Sequence, residues 1–521
     1  MNTRIATKIA AIAAAIAVSS AWQAKADNLT VETYTTINST VTYDYVYVSN
    51  TTLRIGNGGS LKFNNELVLP SAANTESTLY FTGTGNINND DYSSAPIIIG
   101  RYANSKGKID TNIGQNDYRI MRLTIGGNAK KDSSGYIDFL RIGNGPREGH
   151  PGRIHVNQWM NYAGDVARVR FDGANGAFST IATKPSKSTL ALLWADAKAT
   201  YAFEGVNGAN IIFGSGSWWD SPTSKNFLTG NGKVRMQGDC DVIFHNHNAN
   251  GANYGFEFNV STNQLIWAHT GATIVSNNFT IKTTADYALP NGPQTGRIEL
   301  KGLSSGALPV IDLCGTTQIA NGIYDATPGS KGAITNSSET AATLVLGAHD
   351  QNCDLKIGRV FPGVTIKKAG SGVLTVVASS LPAVNTTGGS FMVSGSNLTC
   401  GSLTQDGGAV GVVSGATFDL SGAPAGSDVL SHIAVTDGAG GGTFRGATLA
   451  ASGVIDLSTA TPTAEGFGEA TLAVSFADCA NPENIQNWTV RVNGAGGNSL
   501  GAKISGGNLR IGKTATVIMM R

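Results

Sequence analysis

The sequence predicts an all-β chain wound as a right-handed parallel β-helix, a solenoid, with a small C-terminal β cap. Three observations carry that expectation: glycine and small polar residues stand where charge is usual, a strand–glycine phrase recurs, and no long stretch keeps a helical period.

Composition comes first. Glycine supplies 66 of 521 residues and charged residues only 14%, against about 7% and about 25% in an ordinary globular chain. Asn, Ser and Thr occupy the surface that Lys and Glu would normally cover. They form helices poorly and favour turns and strands. Val, Ile, Leu and Phe are too frequent for a disordered chain. The net charge is +1 and no block of basic residues is present, which excludes the clustered cations of a nucleic-acid footprint. The length fits two or three ordinary domains or one elongated repeat domain.

The elements follow in chain order. Residues 1–26 read as a signal peptide. Arg4 and Lys8 give a positive start, Ile9 to Val18 a short apolar run, and Ala24-Lys25-Ala26 a small-x-small cleavage pattern before Asp27. Ten apolar residues fall short of the about 20 that span a bilayer, so the expectation is export, to the outer surface or the medium, with no transmembrane segment after cleavage.

Residues 27–470 read as solenoid with irregular rungs. The phrase apolar-x-Ile-Gly occurs as Leu53-Arg54-Ile55-Gly56, Ile97-Ile98-Ile99-Gly100, Leu123-Thr124-Ile125-Gly126 and Leu140-Arg141-Ile142-Gly143. It returns as Leu355-Lys356-Ile357-Gly358 and Leu509-Arg510-Ile511-Gly512. Alternation places two apolar side chains on one strand face, and glycine then permits a bend that other residues make only at a cost. In the first four copies a second glycine and another apolar position follow, as in Gly59-Ser60-Leu61. Strands of fixed length with loops of variable length between them are how β-helix rungs read; an antiparallel meander is the competing pattern. In the middle of the chain Ser188 to Lys198 is the best candidate helix, though part of it also alternates as a strand. Residues 471–521 read as a separate β unit that caps the last rung, with Trp488 to Gly494 as strand and turn. An uncapped rung would expose an open edge.

The segment 364–400 is more specific. Val364-Thr365-Ile366-Lys367-Lys368 leads into Gly370-Ser371-Gly372 and then Val373-Leu374-Thr375-Val376, followed by Gly388-Gly389-Ser390-Phe391-Met392-Val393 and Gly395-Ser396-Asn397-Leu398. This run of strand, Lys, Gly-x-Gly, strand, loop and Gly-x-strand resembles the passenger-associated repeat of Gram-negative autotransporter proteins. The resemblance covers about 35 residues in one good copy and implies a right-handed β-helical passenger displayed outside the cell. The chain departs from that family at its C-terminal end, where the repeat is not followed by the roughly ten-residue alternating strands of a membrane barrel. Self-secretion is therefore not implied.

Candidate chemistry is sparse. Gly507 to Thr514 fits the P-loop expression in text, but its residues alternate as a strand and lack the following helix that would face a phosphate. Gly302 to Gly306 and Gly497 to Gly501 match Gly-x-Ser-x-Gly, without the strand, sharp turn and helix of a nucleophile elbow. The strongest candidate is Asp239-Cys240-Asp241-Val242-Ile243-Phe244-His245-Asn246-His247. On a strand its acidic residues and both histidines share a face, so Asp241, His245 and His247 form a candidate metal site. The same pattern also reads as a solvated face over a buried rung. Trp218 and Trp219, between Gly216-Ser217 and Asp220-Ser221-Pro222, are the candidate glycan contact, since aromatic faces stack on sugars; the other reading is that they plug a loop against the core. The five cysteines are too far apart for a disulfide framework and read mostly as small buried apolar groups.

Taken together, the expected function is that of an exported, non-catalytic structural or adhesive protein at the cell surface or outside the cell, contacting glycan or a surface protein. No catalytic residue and no cofactor is expected. The competing class is a β-helical polysaccharide lyase or hydrolase. Three carboxylates converging in a groove across adjacent rungs would favour the enzyme; a flat flank of Asn, Ser and Thr ladders would favour the adhesin.

Overall fold

In the computed structural model, residues 27–81 and 233–513 are described with short gaps, and only isolated strands between 86 and 230. The described residues form a parallel β-solenoid of about 11 turns and are nearly all β. The one helical element among them is the 3₁₀ turn Pro482–Asn487. Of the open candidate helix, Leu190–Leu192 is a strand, paired in parallel with Leu228–Gly230. The signal-peptide reading of residues 1–26 lies outside the described residues.

Between residues 273 and 405 the turns wind over three faces. Face one is a single 15-stranded sheet, in which Thr273–Ser276, Ile298–Lys301, Ile323–Asp325, Cys353–Lys356, Val373–Val377, Ser390–Val393 and Ala409–Val412 are successive neighbours. Face two runs from Phe279–Thr283 through Val310–Asp312 to Arg359–Val360, then from Ser380–Leu381 through Asn397–Cys400 to Ala470–Ala477. Face three carries Thr317–Ala320, Ala342–Leu346, Val364–Lys368, Ala383–Thr386 and Leu403–Gln405. The chain between residues 29 and 163 contributes two further parallel sheets.

Strict alternation explains the packing. In Leu265–His269, Phe279–Thr283, Ala342–Leu346 and Val364–Lys368, every first, third and fifth residue is buried and the others are half-buried. A period of two puts one set of side chains inside and the other out. The inward set merges into one apolar core that includes residues from Val31 to Ile511. Aromatic side chains contribute two groups to it. Phe391, Phe418, Phe444 and Phe476 pack in series with ring centroids 6.2, 6.4 and 5.5 Å apart, the last pair stacked. Earlier in the chain Phe244, Phe258, Trp267 and Phe279 form a second aromatic group.

Corners need glycine where rung backbones nearly touch. A β-carbon on Gly389 (φ +58°) would lie 2.2 Å from the carbonyl oxygen of Gly372, a separation no substitution tolerates without backbone movement. Lys368 completes that corner. Its side chain is fully buried, and its Nζ donates to the carbonyls of Ala369 (2.5 Å) and Gly370 (2.9 Å). Burial pushes its pKa below the ordinary lysine value, against the opposing charge of nearby Asp350. The Lys–Gly-x-Gly phrase is thus a corner: the ammonium answers carbonyls that no neighbouring strand reaches.

The turn that contains residues 284–297 has no face-three strand. Residues 284–297 pass over that face irregularly, and side chains of the next rung supply what a strand would have given. Buried Gln318 accepts from the N–H groups of Ala288 (2.8 Å) and Leu289 (2.9 Å) through Oε1 and donates to the Ala285 carbonyl (2.8 Å) through Nε2. Asn321 donates to the carbonyls of Gly292 and Thr295.

Antiparallel pairing enters at the C-terminal end. Leu500–Ser505 and Asn508–Lys513 form a hairpin, and Asn508–Lys513 also pairs with Ala470–Ala477. Gly506 (φ +58°) and Gly507 (φ +75°) make its two-residue turn, the double left-handed conformation that tight hairpins require. The P-loop text match is therefore the return strand of a hairpin. The Leu509-Arg510-Ile511-Gly512 copy of the recurring phrase belongs here as well, with Leu509 and Ile511 buried. All five cysteines are free, and Cys240, Cys353 and Cys400 are buried. Burial pushes the thiols of Cys353 and Cys400 up to about 11 and about 12, so they are packing groups and not nucleophiles.

Candidate functional site

The outward rows of the three faces are the surface this fold offers. On face two, the register aligns Asn397, Thr417, Thr443 and Ser475 across four consecutive rungs. All four side chains are half-buried or exposed, because the inward positions beside them are Leu398, Phe418, Phe444 and Phe476. The hydroxyls of Thr443 and Ser475 are 2.8 Å apart. A neighbouring row aligns Ser380, Thr399, Asp419 and Arg445. Face three repeats the theme with Thr317, Thr343 and Thr365. The Asn397 and Thr317 rows present neutral donors and acceptors at the rung spacing of about 4.8 Å, while the row beside Asn397 adds the charges of Asp419 and Arg445.

Face one is different, for its outward positions hold a compact charged cluster. Glu299, Tyr324 and Lys356 stand in one row on successive rungs. Arg297 lies one step along, with Gly322 and then Asp354 beyond it. Gly322 (φ +139°) has no side chain to block the passage, so the Arg297 guanidinium reaches Glu299 (3.1 Å) on its own strand and Asp354 (3.7 Å) two rungs away. Lys301 Nζ is 2.9 Å from the other oxygen of Glu299. The guanidinium also sits 4.1 Å from the centre of the Tyr324 ring, and Lys356 Nζ 4.8 Å from it. Burial raises the Glu299 carboxyl, but hydrogen bonds and charge from Lys301 and Arg297 outweigh that and hold it below the ordinary glutamate value. A general acid needs the opposite shift. A second pair on face one joins His432 Nε2 to Asp456 Oδ2 at 2.5 Å.

The sequence-derived candidates stand as follows. Asp241 is half-buried just before the strand Val242–Asn246, with its Oδ1 accepting from the N–H of Ala272 on the next rung (2.8 Å). The inward positions beside it are Cys240, Val242 and Phe244, all buried. His245 is in that strand but its side chain, like the whole of His247, lies outside the described residues. Trp218 and Trp219 also lie outside them. Among the described residues no three His, Cys, Asp or Glu side chains are grouped to hold a metal ion. Several of the described carboxylates are engaged with backbone instead. Asp325 accepts from the N–H groups of Thr327 and Gly332, and Asp312 from those of Cys314 and Ser337.

Sequence reasoning missed the face-one cluster, because Arg297, Tyr324 and Lys356 are 27 and 32 residues apart and only the register unites them. It also missed Tyr287, an exposed aromatic in the left-handed region (φ +59°). The chain matches no family model, no curated protein and no solved structure.

Proposed function

We propose that this chain is an exported, non-catalytic structural or adhesive protein that presents the sides of a β-solenoid at the cell surface or outside the cell, in the manner of an autotransporter passenger. The observation that carries this reading is the neutral ladder Asn397–Thr417–Thr443–Ser475, a row of amide and hydroxyl groups with Leu398, Phe418, Phe444 and Phe476 buried beside it. Such a row can exchange hydrogen bonds with the hydroxyls of a linear glycan lying along the axis, while the stacked core keeps it rigid, so little order is lost on contact. The signal-like N-terminus supports export, and no helix among the described residues is long and apolar enough to cross a membrane.

The test is a glycan-array and cell-adhesion assay of the secreted protein beside a Thr417→Lys, Thr443→Lys double variant. Two adjacent cations on the ladder should abolish contact and leave the melting temperature within a few degrees. Release of sugar ends from any polysaccharide by the purified protein would overturn the non-catalytic reading; retention in the cytoplasm would overturn the exported one.

A further inference from the structure

We propose that the Arg297–Tyr324–Lys356 cluster on face one is a second contact site, and that it takes the carboxylate of an acidic polysaccharide. The inference rests on the exported, glycan-contacting reading but uses a different face and a different chemistry.

The cluster carries more positive than negative charge. The cluster holds the cations Arg297, Lys301 and Lys356 and the carboxylates Glu299 and Asp354. Arg297 answers both carboxylates, and Lys301 answers the second oxygen of Glu299. Lys356 is left with the Tyr324 ring and a long 3.5 Å approach to its hydroxyl, and it makes no ion pair among the described residues. The cluster therefore carries one positive charge in excess, localised on a side chain that faces outward.

The site is also preorganised. Lys356 and Arg297 are drawn over Tyr324 from its neighbouring rungs, so two long side chains are already ordered before any ligand arrives. Ordering such side chains on binding costs about 0.5–1.5 kcal/mol each, and here much of that cost is met in the free protein.

Its shape suits a sugar acid as well. The outward row continues from Lys356 to half-buried Val377 on the next rung. An apolar step beside an unpaired ammonium matches a uronate, whose ring presents C–H groups next to its carboxylate. Rungs rise about 4.8 Å, close to the length of one pyranose in an extended chain. An acidic peptide fits less well: face one is an interior stretch of continuous sheet here, with both strand edges already paired, so it has no free edge for a peptide backbone to extend.

The experiment is calorimetric titration of the secreted protein with polygalacturonic acid, a neutral β-glucan and polyglutamate, at low and high ionic strength. Polygalacturonic acid should bind, and salt should weaken it. Lys356→Gln should lower its affinity about tenfold, the loss of one charge-assisted hydrogen bond, with melting unchanged, and Lys356→Arg should restore most of it. Lys331→Gln, at an exposed position on another part of the turn, should have no effect. The proposal is overturned if polygalacturonic acid does not bind, if Lys356→Gln binds it as tightly, or if polyglutamate binds equally well. If the Thr417→Lys, Thr443→Lys variant loses contact while Lys356→Gln does not, this site fails and the adhesive reading stands. If neither substitution matters, both fail.

Discussion

Single residues in this protein are mostly answered by the rung above or below. His269 shows what happens when one is not. It is fully buried against the edge of Trp267, its Nε2 is 3.0 Å from the hydroxyl of Thr273, and its Nδ1 has no partner. Burial lowers its pKa to about 4, so it is neutral in the native state near neutral pH. The unfolded chain protonates this histidine near pH 6.5. Above that pH the native state bears no penalty. As pH falls from about 6.5 to about 4 the unfolded state gains a proton that the native state refuses, and roughly 3 kcal/mol of stability is lost. Denaturant titrations across this range, wild type against His269→Gln, should show that extra acid sensitivity only in the wild type. Parallel curves for the two proteins would remove the assignment. Lys368 has the same sign of shift for the same reason, but its carbonyl partners at the corner keep it anchored.

At the scale of elements, the turn containing residues 284–297 is the informative one. A solenoid can drop a strand only if something replaces the missing ladder, since buried N–H and C=O groups left alone cost about 1–3 kcal/mol each. Gln318 replaces it with four hydrogen bonds: two accepted from backbone, one donated to the Ala285 carbonyl and one to the Thr316 hydroxyl. Gln318→Leu keeps the volume and removes all four. It should destabilise the protein by on the order of 3 kcal/mol and speed hydrogen exchange at Ala288 and Leu289. Unchanged protection at those two amides would show that the segment holds itself. Nothing in the local sequence announces this role, because Gln318 follows its strand's pattern as an inward position that any apolar residue could fill.

At the scale of the whole molecule, stability and shape follow from stacking. Each rung contacts its neighbours, and the continuous core makes them one body. Parallel strands on face one alone extend roughly 60 Å at about 4.8 Å per rung. X-ray scattering of the mature protein should therefore give an elongated particle. A radius of gyration near about 23 Å, the value for a compact domain of this length, would be incompatible with it. The chemistry of the surface scales the same way. A ladder of four small polar groups is weak rung by rung and becomes a contact surface only by repetition along the axis.

The class and much of the grain of this fold are legible along the chain. Leu53 and Ile55, or Leu355 and Ile357, are buried as their alternation requires, and Gly370, Gly372, Gly388 and Gly389 stand at corners where backbones approach. These are local consequences of a period of two and of the missing β-carbon, so they can be read along the chain. The sites could not be read that way. Whether Arg297 meets Asp354, or Thr417 stands beside Thr443, depends on how many residues each turn takes. That number varies from rung to rung, because loops lengthen without disturbing the stacked strands. Register is a property of neighbouring backbones, so the side chains that share a row are fixed only when the rungs stack.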